Sequence, residues 1–385
     1  MLTALAMVAL NLRIALSSIP TVVSDIQAAT GWSDAAIGAL TTIPVLCMGV
    51  FALAVPRIAH AIGRLRTIAL ALALLTLALA SRAAALQVPA VLYVSAFVAG
   101  IGIALAAGLV PGVVREQLPD ALGPATGLWT AAMMVGAAMG GALTVPLANR
   151  LGSWPLALAL WAVPAVLGLV VWMVAEGRRR APQANTYTRK QVRLRELPWR
   201  DRRAWSLTAY LTINSIVFYT ALAWLAPTYV DLGWSQETAG WYFGVFTTSQ
   251  VLAALVLPAI AERFRARRAL YAALVLVSGT CIVLIGWAPG FVPVLVVTVF
   301  GAALGGSFAM GLALLSEFAV DAHGSARLTA MAFFGTYLLA AIGPLAAGLL
   351  MDAFDSWQLV YSLLAIVLLM QLLTIPALRR GVKIG

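Results

Sequence analysis

The chain has 385 residues, of which 62% are hydrophobic and only 10% charged, far below the ~25% charged residues of a soluble domain. Its net charge of +11 sits in short hydrophilic breaks rather than on one basic face, which argues against a nucleic-acid-binding role. No stretch alternates polar and apolar residues as barrel strands do, so the composition predicts a polytopic all-α membrane protein.

Apolar runs long enough to cross a hydrocarbon core of about 30 Å recur along the whole chain. Read in order, they predict spans at approximately 2–26, 33–58, 67–85, 89–116, 123–149, 153–176, 204–230, 235–261, 268–288, 291–318, 325–351 and 356–378. The first has no basic n-region or cleavage site and is read as a span rather than a signal peptide. The breaks at 60–66, 115–120, 176–203, 262–268 and 321–327 and the tail "RRGVK" all carry Arg or Lys, whereas those between them carry only Arg82 and Arg150. By the positive-inside pattern, both termini and the long middle segment are cytoplasmic. The charged, Pro-bearing stretch 177–203 divides the chain into two six-helix bundles, 1–176 and 204–385.

The bundles repeat. "TGWSDAAIG" (30–38) recurs as "LGWSQETAG" (232–240), so that Gly31, Trp32, Ser33 and Gly38 match Gly233, Trp234, Ser235 and Gly240. "PRIAHAIGRLR" (56–66) matches "PAIAERFRARR" (258–268) in the same register, and Glu116 matches Glu317. Parallel repeats of this kind place a substrate site at the interface between halves, near the midplane.

Within the first span, "ALNLRIALSSIP" (9–20) centres on Arg13. At 1.5 Å per residue Arg13 lies roughly 18 Å from either end, and a central Arg costs at least about 2.5–3.5 kcal/mol. All 14 Asp and Glu residues fall in loops or at span ends. Two readings are open: a structural Arg bonded to backbone carbonyls, or an anchor for an anion arriving from water, which its planar five-donor fork suits. Ser17, Pro20 and Ser24 share its face, with a kink expected at Pro20. Asn11 and Ser18 face the other way, toward inter-helix hydrogen bonds.

Further along, Trp129 and Met133 stand one turn apart in "GLWTAAMMVGAAMGG", an aromatic platform or an interface Trp. Gly136, Gly140 and Gly141 permit close helix packing. Asn214 and Phe218 share a face in the seventh span; Asn214 either meets a planar solute or bonds a neighbouring helix. Phe308, Phe333, Phe334 and Tyr337 offer the other cavity wall or ordinary packing. Glu116, Glu262, Arg263, Glu317 and Arg327 are candidate gating residues whose ion pairs hold helix ends together in one state. Only Lys190 and Lys383 exist, and neither closes a phosphate-binding loop. His60, His323, Cys47 and Cys281 form no ligand cluster. Neither a cofactor, a metal nor an enzymatic constellation is expected.

Two six-helix halves with repeated loops resemble the major facilitator superfamily, whose GxxxDRxGRR loop survives in degraded form as Gly63–Arg64 and Glu262–Arg263. "NLRIALSSIP", "GIGIALAAGLVPGVVRE", "GLWTAAMMVG", "AWLAP" and "GTYLLAAIGP" together resemble the cyanate/2-nitroimidazole transporter family of bacterial inner-membrane carriers. That resemblance implies a monomeric carrier, secondary active or facilitative, among membrane lipids. It also implies alternating access for a small anion or nitroheterocycle, with Arg13, Trp129 and Asn214 as pocket residues. Ala107 and Phe333 stand where family members carry amides, which implies a less polar pocket. A multidrug or nitro-compound exporter of the same fold is the alternative; a membrane receptor or embedded enzyme is the alternative of another class.

Overall fold

The computed structural model describes residues 1–52, 54–117, 122–177, 196–263, 267–320 and 322–378. Among them are twelve helices long and apolar enough to cross a membrane. The first six are α1 (Leu2–Thr30), α2 (Asp34–Ala52), α3 (Arg64–Ala84), α4 (Val91–Val114), α5 (Gly127–Leu151) and α6 (Trp154–Gly177). The last six are α7 (Arg202–Asp231), α8 (Gln236–Pro258), α9 (Arg267–Trp287), α10 (Pro293–Leu315), α11 (Arg327–Phe354) and α12 (Trp357–Ala377).

The predicted spans correspond one to one with these helices, with two local corrections. The second was expected to run to residue 58, but α2 stops at Ala52 and a separate helix follows at Val55–Ile62. This short helix ends on Gly63, whose φ of +90° only glycine adopts at little cost. The second correction concerns Arg82, expected as a charge at a hydrophilic break beside the third span but buried inside the protein at the end of α3.

Packing reproduces the sequence repeat. In the first half α1 packs on α5, α2 on α4, and α3 on α4 and α6; in the second, α7 packs on α11, α8 on α10, and α9 on α10 and α12. The halves then meet along two equivalent seams, α2 against α11 and α5 against α8. Each seam runs through a glycine of the repeated motif. A Cβ on Gly38 would lie 2.5 Å from the Pro344 carbonyl oxygen, and one on Gly240 would lie 2.8 Å from the Gly141 carbonyl oxygen. With lipid tails as apolar as the side chains, small residues that admit close backbone contact drive such association. Gly31 (φ +67°) and Gly233 (φ +97°) make the equivalent turns that lead into α2 and α8.

Both seams lie toward the bundle end that carries the loops 31–33, 232–235 and 355–356. Here the Asp352 carboxylate of α11 accepts from the backbone N–H groups of Asp34 (2.7 Å) and Ala35 (2.9 Å), opening α2. The Thr42 hydroxyl donates to the Ala341 carbonyl at 2.7 Å, and the Gln236 amide donates to Asp25 at 3.3 Å.

Helix α1 is interrupted where Pro20 removes a backbone donor. Its α-helical part ends at Ser17, a 3₁₀ turn spans Pro20–Val22, and helix resumes at Val23. The expected small-residue packing on α5 is present: Gly136 lies against the Leu10 carbonyl and Gly140 against the Ser17 hydroxyl.

Candidate functional site

The break in α1 places Arg13 and Ser17 on the last regular turns before it, facing the second half of the molecule. They border a small cavity of about 10 Å³ together with Met134 and Ala137 of α5, Phe218 and Leu222 of α7, and Thr247 and Gln250 of α8. The wall therefore draws two helices from each half. No carboxylate is among the lining residues.

Three polar atoms at this cavity are buried without a hydrogen-bond partner: Arg13 Nε, Ser17 Oγ and Gln250 Nε2. A buried donor left unmade costs about 1–3 kcal/mol, and more when charged. Three around one cavity make a set of donors awaiting an acceptor, since a hydroxyl and an amide NH₂ both donate. The Arg13 guanidinium carbon stands 5.3 Å from the centroid of the Phe218 ring. Its stacking against that face is a cation–π contact, worth about 2 kcal/mol or more when desolvated.

Aromatic rings continue away from Arg13. Phe218 meets Tyr219 edge-on at 4.9 Å, Tyr219 meets Tyr337 at 6.4 Å, and Tyr337 meets Phe333 at 5.7 Å. The Tyr219 and Tyr337 hydroxyls both lie within the field of the guanidinium. Tyr219 also donates to the Met48 sulfur of α2 at 3.9 Å, which ties this row of rings in the second half to the first half.

The other sequence-derived candidates fall elsewhere. Met134, not Met133, lines the cavity; Trp129 is half-buried against the main apolar core. Asn214 is buried and donates to the Leu304 carbonyl of α10 at 3.3 Å, the inter-helix bond that was its alternative reading. Phe308 packs on a separate apolar cluster around Leu211 and Met310, and Phe334 meets Trp199 at 6.5 Å. Asn11 bonds across to the Pro164 carbonyl of α6 at 2.9 Å.

Of the gating candidates, Glu317 pairs with Arg267 at 2.7 Å, joining the ends of α9 and α10 within one half. Arg327 donates through Nε to the Glu196 carbonyl. The side chains of Glu116, Glu262 and Arg263 lie outside the described residues, as do most of the 177–203 stretch and the basic tail. Cys47 and Cys281 are free and buried.

Gln250 and Tyr219 were missed from sequence. Gln250 carried a usable signal: like Arg13, it is a strongly polar side chain deep in an apolar span, within "TTSQVL".

The sequence profile of the Major Facilitator Superfamily matches residues 1–231 and 215–382. The cyanate transport protein CynX of Escherichia coli (strain K12) is 31% identical over 351 residues, covering 91% of this chain and 89% of that one. The 2-nitroimidazole transporter of the same organism is 29% identical over 389 residues, covering 99% and 95%. An uncharacterized transporter of Bacillus subtilis (strain 168), YycB, is 29% identical, covering 93% and 88%. Among solved structures, a D-xylose-proton symporter superposes with a TM-score of 0.78 at 16% identity, covering 99% of this chain and 97% of that one. A bacterial homolog of the human lysosomal transporter Spinster, inward-facing and occupied, gives 0.75 at 15% identity, covering 98% and 93%. At these identities the superpositions establish the fold.

Proposed function

Because this chain belongs to the major facilitator superfamily of transporters, we propose that it carries a small anionic or nitro-bearing organic solute across the bacterial inner membrane by alternating access. Arg13 is the substrate anchor in this reading. The bundles 1–176 and 204–385, joined through 177–203, rock about the cavity between them as a monomer. Both termini lie in the cytoplasm, which makes the seamed end periplasmic and the opposite end the route to the cell interior.

The observation that carries this reading is the convergence of unpartnered Arg13 Nε, Ser17 Oγ and Gln250 Nε2 on one carboxylate-free cavity between the halves. Donors without acceptors suit a ligand that brings acceptors, and a guanidinium without an internal counter-charge suits a ligand that brings negative charge. Cyanate and a nitro group both present acceptor atoms and little bulk. The relatives whose names carry those two solutes match nearly the whole chain. Phe218, Tyr219, Tyr337 and Phe333 supply flat apolar surface for a heterocycle.

Uptake or counterflow in proteoliposomes, with cyanate, 2-nitroimidazole and unsubstituted imidazole as substrates, tests the proposal. Transport of at least one of the first two is expected, and Arg13→Ala abolishes it while the protein elutes and melts as a folded species. Arg13→Lys also fails, because an ammonium cannot reproduce a planar fork. Undiminished transport by Arg13→Ala overturns the anchor assignment.

A further inference from the structure

We infer that the N-terminal bundle holds a second, small monovalent anion beside Arg82, in a cavity distinct from the one bordered by Arg13. Arg82 is 1% exposed, and it lies at the break in α1. Its Nη2 donates to the Ala15 carbonyl at 3.0 Å, its Nη1 to the Ser18 hydroxyl at 3.1 Å, and its Nε to the Ser95 hydroxyl at 3.3 Å. All three acceptors are neutral. A guanidinium carries five N–H bonds, two on each terminal nitrogen, so one on Nη1 and one on Nη2 have no protein acceptor.

Among the described residues, no ionised side chain bonds to Arg82. The residues around it on α1, α2 and α4 are apolar or hydroxyl-bearing, and none of those that border the adjacent cavity carries a charge. Removing an unpaired cation from water costs several kcal/mol even after relaxation, and charge-assisted bonds to three neutral oxygens recover part of that. Next to the guanidinium is a small, partly enclosed cavity of about 10 Å³, bordered by Arg82, Thr41 and Pro44. A cavity of roughly that size is the smallest that holds a water-sized particle.

The occupant that meets both requirements is a chloride-sized anion. It accepts the two remaining N–H bonds and cancels the charge, whereas a water accepts the bonds and leaves the charge in place. Thr41 adds a hydroxyl to the wall, and no carboxylate is present to repel the ion. Such an ion ties α3 to the interrupted turn of α1 and to α2, with its anchor at Ala15, two residues from Arg13. It is a resident ion rather than cargo, and the inference does not depend on what Arg13 binds.

The test is thermal unfolding of the full-length protein in detergent at constant ionic strength, with chloride, bromide or nitrate exchanged against gluconate. Arg13→Ala is the background, so that the central cavity does not contribute. A saturable rise of a few degrees with the small anions is expected. It is lost in Arg13→Ala/Arg82→Gln and kept in Arg13→Ala/Arg82→Lys. Crystals grown in bromide are expected to show an anomalous peak at Arg82 in the wild-type protein. This measurement decides the matter if Arg82→Gln does not fold. Stability indifferent to the anion, a dependence that survives Arg82→Gln, or the lack of a bromide peak at Arg82 overturns the inference.

Discussion

Replacing Asp352 by Ala removes the contact in which one half of the molecule caps a helix of the other. Both carboxylate oxygens are used, toward Asp34 N–H at 2.7 Å and Ala35 N–H at 2.9 Å. These are first-turn donors of α2 with no intrahelical partner. Loss of a side-chain cap costs about 0.5–2 kcal/mol, and the carboxylate's attraction to the helix N-terminus adds roughly 0.3–1 kcal/mol in exposed positions. Asp352 is exposed, which places the sum near the low end, about 1–2 kcal/mol. Because the cap exists only while the seam is closed, that energy enters the closed-to-open equilibrium. A change of that size shifts the ratio about 5–30-fold.

Spin labels at Ala29→Cys and Gln358→Cys, both exposed and on opposite halves, report the opening by pulsed electron resonance. Native Cys47 and Cys281 are buried and leave the background low. Asp352→Ala is expected to increase the long-distance population by the factor above. Asp355→Asn, a neighbouring acid that keeps its left-handed backbone (φ +46°), should leave it unchanged. Identical distance distributions in wild type and Asp352→Ala would refute the assignment of this cap as a latch between the halves.

Gly38→Val places a branched side chain where a Cβ already meets the Pro344 carbonyl at 2.5 Å. The same spin-label pair should report opening, while Gly127→Ala, with nothing within 4 Å, should not. Gln250→Leu removes an unsatisfied buried amide, so melting of the empty protein is expected to hold or rise. Substrate affinity by calorimetry should fall about tenfold, the equivalent of one lost hydrogen bond. Asn214→Leu is expected to give the reverse: it loses the 3.3 Å bond to Leu304, lowering the melting temperature while affinity stays within about threefold.

The contrast between Gln250 and Asn214 shows what sequence can and cannot deliver. Span number and placement were legible because lipid imposes a long apolar run on every crossing helix. Arg13 was legible because an acid census needs no geometry. Asn214 and Gln250 are both amides deep in apolar spans, and the choice between a bonded and an unbonded amide depends on which backbone carbonyl lies within reach. Leu304 answers that for Asn214, and among the described residues none accepts from Gln250 Nε2. Likewise Met133 and Met134 differ by 100° around α5, and a small error in the assumed face of the helix exchanges them.

Arg82 is the more instructive miss. At the end of a span and beside a break, it reads as a topological charge, and the positive-inside pattern gave it no reason to be inside the protein. What draws it inward is the interruption of α1: a helix that loses a donor at Pro20 offers the Ala15 carbonyl and the Ser18 hydroxyl to a side chain from α3. That relation is tertiary and has no sequence period.

The repeated GWS motif, by contrast, holds more than duplicated ancestry. Its first glycine turns the chain into α2 or α8, and its last glycine seats that helix on the opposite half, at Pro344 in one seam and Gly141 in the other. The two seams are equivalent in backbone but not in polar contacts. Asp352 caps α2, whereas the residue one repeat earlier than Asp352 is Arg150, at the end of α5. A cation at that place cannot cap the N-terminus of α8, and the contact nearby is Gln236 to Asp25 at 3.3 Å. In the proposed alternating-access cycle, both seams would open together, and the single carboxylate cap would make the α2–α11 seam the one that limits opening. Installing the missing partner, Arg150→Asp, should therefore lower the long-distance population reported by the same spin labels, provided the new carboxylate reaches the first turn of α8. A larger long-distance population in Arg150→Asp would contradict a closure governed by capping.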